Sequence, residues 1–171
     1  MGTIQDEIHQ TRPFASAAEE AVVTLVATAG RVREGLSQVV EESGITLQQY
    51  NVLRILRGAG AAGLPTLDIA SRMIDKSPGI TRLLDRLEAR RLVRRVRCPE
   101  DRRQVLCFAT AQAFSLLADL DAPMAQGAAR FLAPLDRARS IELIGLLDAI
   151  RAATPSSPRQ PSKREPIPVQ H

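Results

Sequence analysis

The stretch from Ser77 to Thr110 leaves the chain few folds to choose from. It reads as one amphipathic helix feeding directly into two β-prone segments joined by a polar turn. Ile80, Leu83, Leu84 and Leu87 fall at i, i+3, i+4 and i+7, a single apolar stripe at the helical period that must pack on a core. Ser77 can cap the orphan amides of the first turn, and Pro78 suits the first helical position, where no amide is needed. The opposite face carries Gly79, Thr81, Arg82, Asp85 and Arg86, small, hydroxyl and guanidinium groups suited to base edges and phosphates. Val93 to Arg97 then mixes apolar and cationic residues, and Val105 to Ala109 is a second β-prone run. Between them, Pro99-Glu100-Asp101-Arg102-Arg103 places two arginines near the tip of a turn. A helix sized for the major groove followed at once by an arginine-tipped hairpin is the layout of a winged helix-turn-helix.

Charge supports that layout by its placement. Residues 46 to 110 hold 13 Lys and Arg against 6 Asp and Glu, whereas residues 1 to 45 hold 3 against 7 and residues 111 to 153 hold 4 against 5. Positive charge is concentrated where a DNA reader needs it to displace counterions from phosphates. Double-stranded DNA is the expected partner.

The flanking segments read as helices. From Ala15 the apolar positions run Ala18, Val22, Leu25, Ala29, Val32, Leu36 and Val39, alternating three and four residues apart. That 3.5-residue seam suits either a partner helix or the helix's own domain. Ser43-Gly44 ends this helix, and Thr46-Leu47-Gln48-Gln49 is a capping box with Ile45 and Tyr50 as its hydrophobic staple. The helix it opens runs to about Arg57, and glycines 58, 60 and 63 make the connection to a next helix starting at Pro65 or Thr66, with Leu67, Ala70 and Ile74 predicted to face inward. Beyond Thr110, Ala113, Leu117, Leu120 and Met124 mark a helix that Pro123 either bends or splits in two. Pro134 and Asp136 open the last helix, with Leu143, Ile144, Leu147 and Ile150 on one face. Residues 1 to 13 are expected to be loose, and residues 154 to 171, with five prolines and three serines, read as a disordered basic tail.

No catalytic constellation, metal-ligand cluster or cofactor-binding motif stands out, so an enzyme is not expected; the only histidines are His9 and His171. Only five residues are aromatic, so the core must be aliphatic. No apolar run reaches membrane-spanning length and no secretory pattern opens the chain, which makes a cytoplasmic protein without a membrane partner the expectation. Cys98 and Cys107 fall out of register for a disulfide and read as reduced thiols. Cys98 sits among Arg97 and Arg102, where a redox role is weighed against the plainer reading of an incidental thiol, which is preferred.

The helix Thr81-Arg82-Leu83-Leu84-Asp85-Arg86-Leu87-Glu88 and the motif Asp101-x-Arg103, with its strand ending at Thr110, resemble the multiple-antibiotic-resistance regulator (MarR) family of transcription factors. By element order the resemblance spans roughly residues 15 to 153. One departure is Arg91, which stands where the family usually ends its helix with glycine; an αL residue without glycine costs about 1 kcal/mol. The resemblance implies a mainly α fold with a small β-wing: a domain over 14–153 whose 46–110 part is the winged helix-turn-helix and whose helices at 14–45 and 111–153 build a dimer. It also implies a small, often aromatic effector in a crevice near Tyr50, Leu53 and the helices that open at Ala15 and after Thr110.

The expected protein is a homodimeric, ligand- or stress-responsive repressor on a pseudo-palindromic operator. Ser77, Gly79, Thr81 and Arg82 are the candidates for the groove, Arg86 for the backbone, and Arg102 and Arg103 for the minor groove with Asp101 orienting the turn. Val22, Leu25, Val32, Leu36, Leu143 and Leu147 are the candidates for dimerisation. The alternative is a redox- or protein-responsive winged-helix adaptor with little direct DNA readout.

Overall fold

Caps set the helix starts in the computed structural model, which describes residues 3 to 76, 79 to 98 and 104 to 153. Ser77, Pro78, the turn 99–103 and the segment 154–171, on which several expectations fell, lie outside the described residues. Contacts separate the chain into one unit ending at Phe131 and a second beginning at Leu132.

The first unit opens with an unexpected turn of helix. In α1 (Ile4–Glu7) the Thr3 hydroxyl accepts from the Asp6 amide and the Asp6 carboxylate accepts from the Thr3 amide, a capping box where a loose terminus was expected. Glu7 then pairs with Arg31 of α2 (Ala17–Glu41), which Ser16 caps. The apolar seam of α2 changes character along its length. Val22 and Leu25 are 61% and 37% exposed, whereas Leu36 and Val39 are half-buried against Gly127 of a later helix, α6 (Ala111–Leu132). The C-terminal half of the seam therefore packs on its own chain.

Thr46 and Gln49 form the expected capping box of α3 (Leu47–Ala59), at 3.2 and 3.0 Å, and the staple residues Ile45 and Tyr50 are buried. A 3-10 turn (Gly60–Ala62) leads to β1 (Leu64–Pro65), a short strand the sequence did not suggest. Gly63, at φ +62°, has no room for a side chain: a Cβ there would lie 2.5 Å from the Phe108 ring. The following helix, α4 (Thr66–Arg72), corrects an expectation. Ala70 faces the core as expected, but Leu67 and Ile74 are 74% and 89% exposed, and Ile69 and Met73 join Ala70 in their place. Both triplets fit a helical period, and in so short a helix period alone does not set the phase.

Helix α5 (Ile80–Ala89) buries Leu84 and Leu87 completely and Ile80 and Leu83 in part, as the stripe requires. Its N-cap is Gly79 at φ +127°, so the first helical residue lies two beyond Pro78. At its end the amides of Arg91 and Leu92 bond to the carbonyls of Glu88 and Leu87 at 2.8 and 2.9 Å, the Schellman pattern, with Leu92 and Leu87 both buried. Arg91 occupies the αL position at φ +59°. Its carbonyl accepts from the Thr110 hydroxyl at 2.7 Å, a bond that does not depend on its exposed side chain. Arg91→Gly should therefore stabilise the fold by about 1 kcal/mol and raise the melting temperature by about 2 to 5 °C. An unchanged or lower melting temperature in a thermal scan would show that the side chain contributes more than the backbone loses.

Two strands follow as expected, β2 (Val93–Arg97) and β3 (Val105–Ala109), in an antiparallel sheet of order β1-β3-β2. Cys107 faces Arg95 and Leu64 across the sheet, while Cys98 closes the hairpin by donating its amide to the Gln104 carbonyl, so the two thiols are apart and both are free. Helix α6 is one continuous helix with Pro123 inside it, which settles the bent-or-split alternative for a single element. Arg57 of α3 grips Asp121 of α6 with two bonds of 2.9 Å, and this hydrogen bond holds the Asp121 carboxyl below its ordinary range. The core between these elements is aliphatic, with Tyr50 as its one fully packed aromatic ring among the described residues.

In the second unit, Asp136 caps α7 (Arg137–Ala153) by accepting from the Arg139 amide. This helix buries none of its residues; Leu143 and Leu147 are half-buried, while Ile141, Ile144, Leu146 and Ile150 are more than half exposed.

Candidate nucleic-acid interface

Burying Leu84 and Leu87 turns the opposite side of α5 outward, and Gly79, Thr81, Arg82 and Arg86 are all exposed there. These are four of the residues singled out from the sequence. Ser77, Asp101, Arg102 and Arg103 lie outside the described residues.

A residue that sequence reasoning missed joins helix and hairpin. Arg95, on the edge strand β2, contacts two carboxylates of α5: its Nη2 lies 2.7 Å from Asp85 and 2.5 Å from Glu88. Its Nε donates to Glu88 Oε2 at 2.7 Å, and its backbone amide donates to Glu88 Oε1 at 3.2 Å. The outward amide of an edge strand, which would otherwise face solvent, is thus satisfied from the helix. The hydrogen bond from Arg95 holds the Glu88 carboxyl below its ordinary range, against the opposing effect of burial. Strand alternation carried the signal: Arg95 shares a face with buried Val93, so it points toward α5, where a guanidinium needs a carboxylate. On the other face of β2, Arg94 stacks over the Phe108 ring opposite it, 4.6 Å from the centroid.

Cys98 is half-buried at the end of β2. Cys107 is fully buried, and burial pushes its thiol pKa up, the direction that makes a thiol inert.

A cleft of about 510 Å³ opens between α2, the start of α3 and the turn that leads into α5. Leu47, Met73 and Ile74 supply apolar wall, and Arg33 and Lys76 bring two positive charges against the one negative charge of Asp75. Tyr50 and Leu53, near which an effector crevice is expected, are themselves packed in the core. The turn along one wall is tied to α3 by Asn51 Oδ1, which accepts from the Ile74 amide at 3.0 Å, and by Gln48, which donates to Asp75 at 3.0 Å.

Comparison with known proteins agrees with this architecture. The family model "MarR family" matches residues 45–105. A crystal structure of a MarR transcription factor from Planctomyces limnophilus is 39% identical with a TM-score of 0.63, covering 80% of this chain and 99% of that one. The Bordetella bronchiseptica protein BpsR, whose structure concerns regulation of its DNA binding by 6-hydroxynicotinic acid, is 26% identical with a TM-score of 0.67, covering 77% and 98%. A Staphylococcus aureus MepR–DNA complex shares the fold at 19% identity and a TM-score of 0.71, covering 77% and 96%. No curated protein sequence matches the chain.

Proposed function

Because the chain belongs to the MarR family of transcription regulators, we propose that it acts as a homodimeric repressor that reads a pseudo-palindromic duplex through one α5 helix per subunit. The observation that carries this reading is the exposed Thr81, Arg82 and Arg86 face of α5 beside an arginine-bearing hairpin, in the segment with the chain's surplus of positive charge. In this reading Ser77, Gly79, Thr81 and Arg82 meet base edges, Arg86 meets phosphate, and Arg102 and Arg103 enter the minor groove from a turn oriented by Asp101. Residues 46–110 form the DNA-contacting part. The helices at 14–45 and 111–153 form the dimer, through the exposed Val22 and Leu25 and the apolar face of α7, with Val32, Leu36, Leu143 and Leu147 at its margin.

The cleft beside the α3–α5 turn suits a small, flat organic acid, with apolar wall for a ring and Arg33 and Lys76 for a carboxylate. Occupation would act on the turn that Asn51 and Gln48 hold, and so on the entry to α5. BpsR, regulated by 6-hydroxynicotinic acid, lends this an analogy.

A salt titration tests the central reading. Duplexes enriched from a random-sequence pool should bind with log affinity falling linearly in log salt, with a slope of magnitude on the order of 5 for a dimer contacting several phosphates. A slope below about 1, or no enrichment, would favour the adaptor that uses the winged fold for protein contact.

A further inference from the structure

The outward face of α5 carries negative as well as positive groups. Asp85 lies between Arg82 and Arg86 in sequence and is exposed, and Glu88 follows one turn on. A helix laid in the major groove brings such carboxylates toward phosphates, where like charges repel. Both are met by a single side chain from the wing, Arg95, at 2.7 and 2.5 Å. That side chain is itself about three-quarters covered and is raised further above its ordinary pKa by its bond to Glu88, so it holds its charge at any physiological pH.

We propose that Arg95 is a positioning residue for DNA reading that works by masking charge: its single positive charge, shared between Asp85 and Glu88, offsets half of their negative charge so that α5 can approach the phosphate backbone. The inference rests on the DNA-binding reading above. Two consequences separate it from a merely structural link between strand and helix. A structural link is lost whenever either partner is removed. A mask is needed only while the carboxylates are there.

Arg95→Ala should weaken binding to the enriched duplex by about ten-fold, because two uncompensated carboxylates then face phosphate. Adding Asp85→Asn and Glu88→Gln to Arg95→Ala should bring affinity back to within about three-fold of wild type, although the ion pairs between Arg95 and the helix are then all gone. The double variant Asp85→Asn/Glu88→Gln on its own should bind tighter than wild type, since it removes two negative charges and leaves Arg95 in place. Fluorescence anisotropy on a labelled enriched duplex and on its scrambled counterpart, with thermal scans of each variant, reads all of these. Failure of the triple variant to recover affinity would overturn the mask, and so would unchanged or weaker binding by the double variant. The double variant decides the matter even if Arg95→Ala alone does not fold. If wild type itself binds no duplex with a steep salt dependence, the DNA-binding reading fails and the mask with it. If wild type binds but the rescue is absent, only the mask falls.

Discussion

Val22→Asp combined with Leu25→Asp should give a folded monomer at micromolar concentration, with affinity for a two-half-site duplex lowered by about 100-fold or more. Both side chains are exposed in the single chain, at 61% and 37%, so the substitutions leave the chain's own core intact. In a dimer seam they would bury two unpaired carboxylates per subunit, each costing several kcal/mol, which a dimer of ordinary stability does not survive. The loss of DNA affinity follows from the loss of the second half-site, since a tethered second recognition helix binds at an effective concentration that a free one does not reach. Leu36 is the wrong residue for this test. It packs on Gly127 within the chain, so changing it would damage the fold itself. Sedimentation equilibrium and a melting curve on the same sample decide the matter: a double variant that still sediments as a dimer places the interface elsewhere, and one that no longer melts cooperatively shows that α2 uses this edge internally.

The features legible in the sequence were those encoded within a few residues of each other. The Thr46–Gln49 box and the stripe Ile80–Leu83–Leu84–Leu87 depend on local spacing, and the structure holds both, while the αL position of Arg91, implied by the family resemblance, is held as well. The groove face of α5 followed from the stripe, because burying one side of a helix exposes the other. What was missed depends on tertiary placement. Leu67 and Ile74 offered α4 a second plausible inner face, and only the neighbouring elements chose Ile69 and Met73. β1 has two residues and exists because β3 supplies an edge for it. Glu88 had no role assigned from sequence, and it became a partner for Arg95 only once the chain had turned through Arg91 and Leu92 and laid β2 alongside α5.

Arg82→Ala and Arg103→Ala should lose different things, because the major groove distinguishes all four base pairs and the minor groove mainly separates A·T from G·C. Arg82 lies in the first turn of α5, on the face that points away from buried Leu84. If its guanidinium reaches guanine O6 and N7, removing it should cost about 1 to 3 kcal/mol and relax preference at one position in each half-site. Arg103 is proposed to enter the minor groove, where a guanidinium is attracted to narrow A·T tracts through shape and potential. Its loss should weaken all duplexes, most of all those with A·T-rich flanks, and reduce the salt slope by about 1 to 2 for a dimer with two wings. Half-site centres should lie about one helical turn apart, or a multiple of it, since the two α5 helices of a two-fold dimer enter grooves on one side of the duplex. Anisotropy titrations of both variants against matched and scrambled duplexes at several salt concentrations measure each quantity. Intact sequence preference in Arg82→Ala with its loss in Arg103→Ala would reverse the two assignments. Unchanged binding in both would remove α5 and the hairpin from the interface altogether.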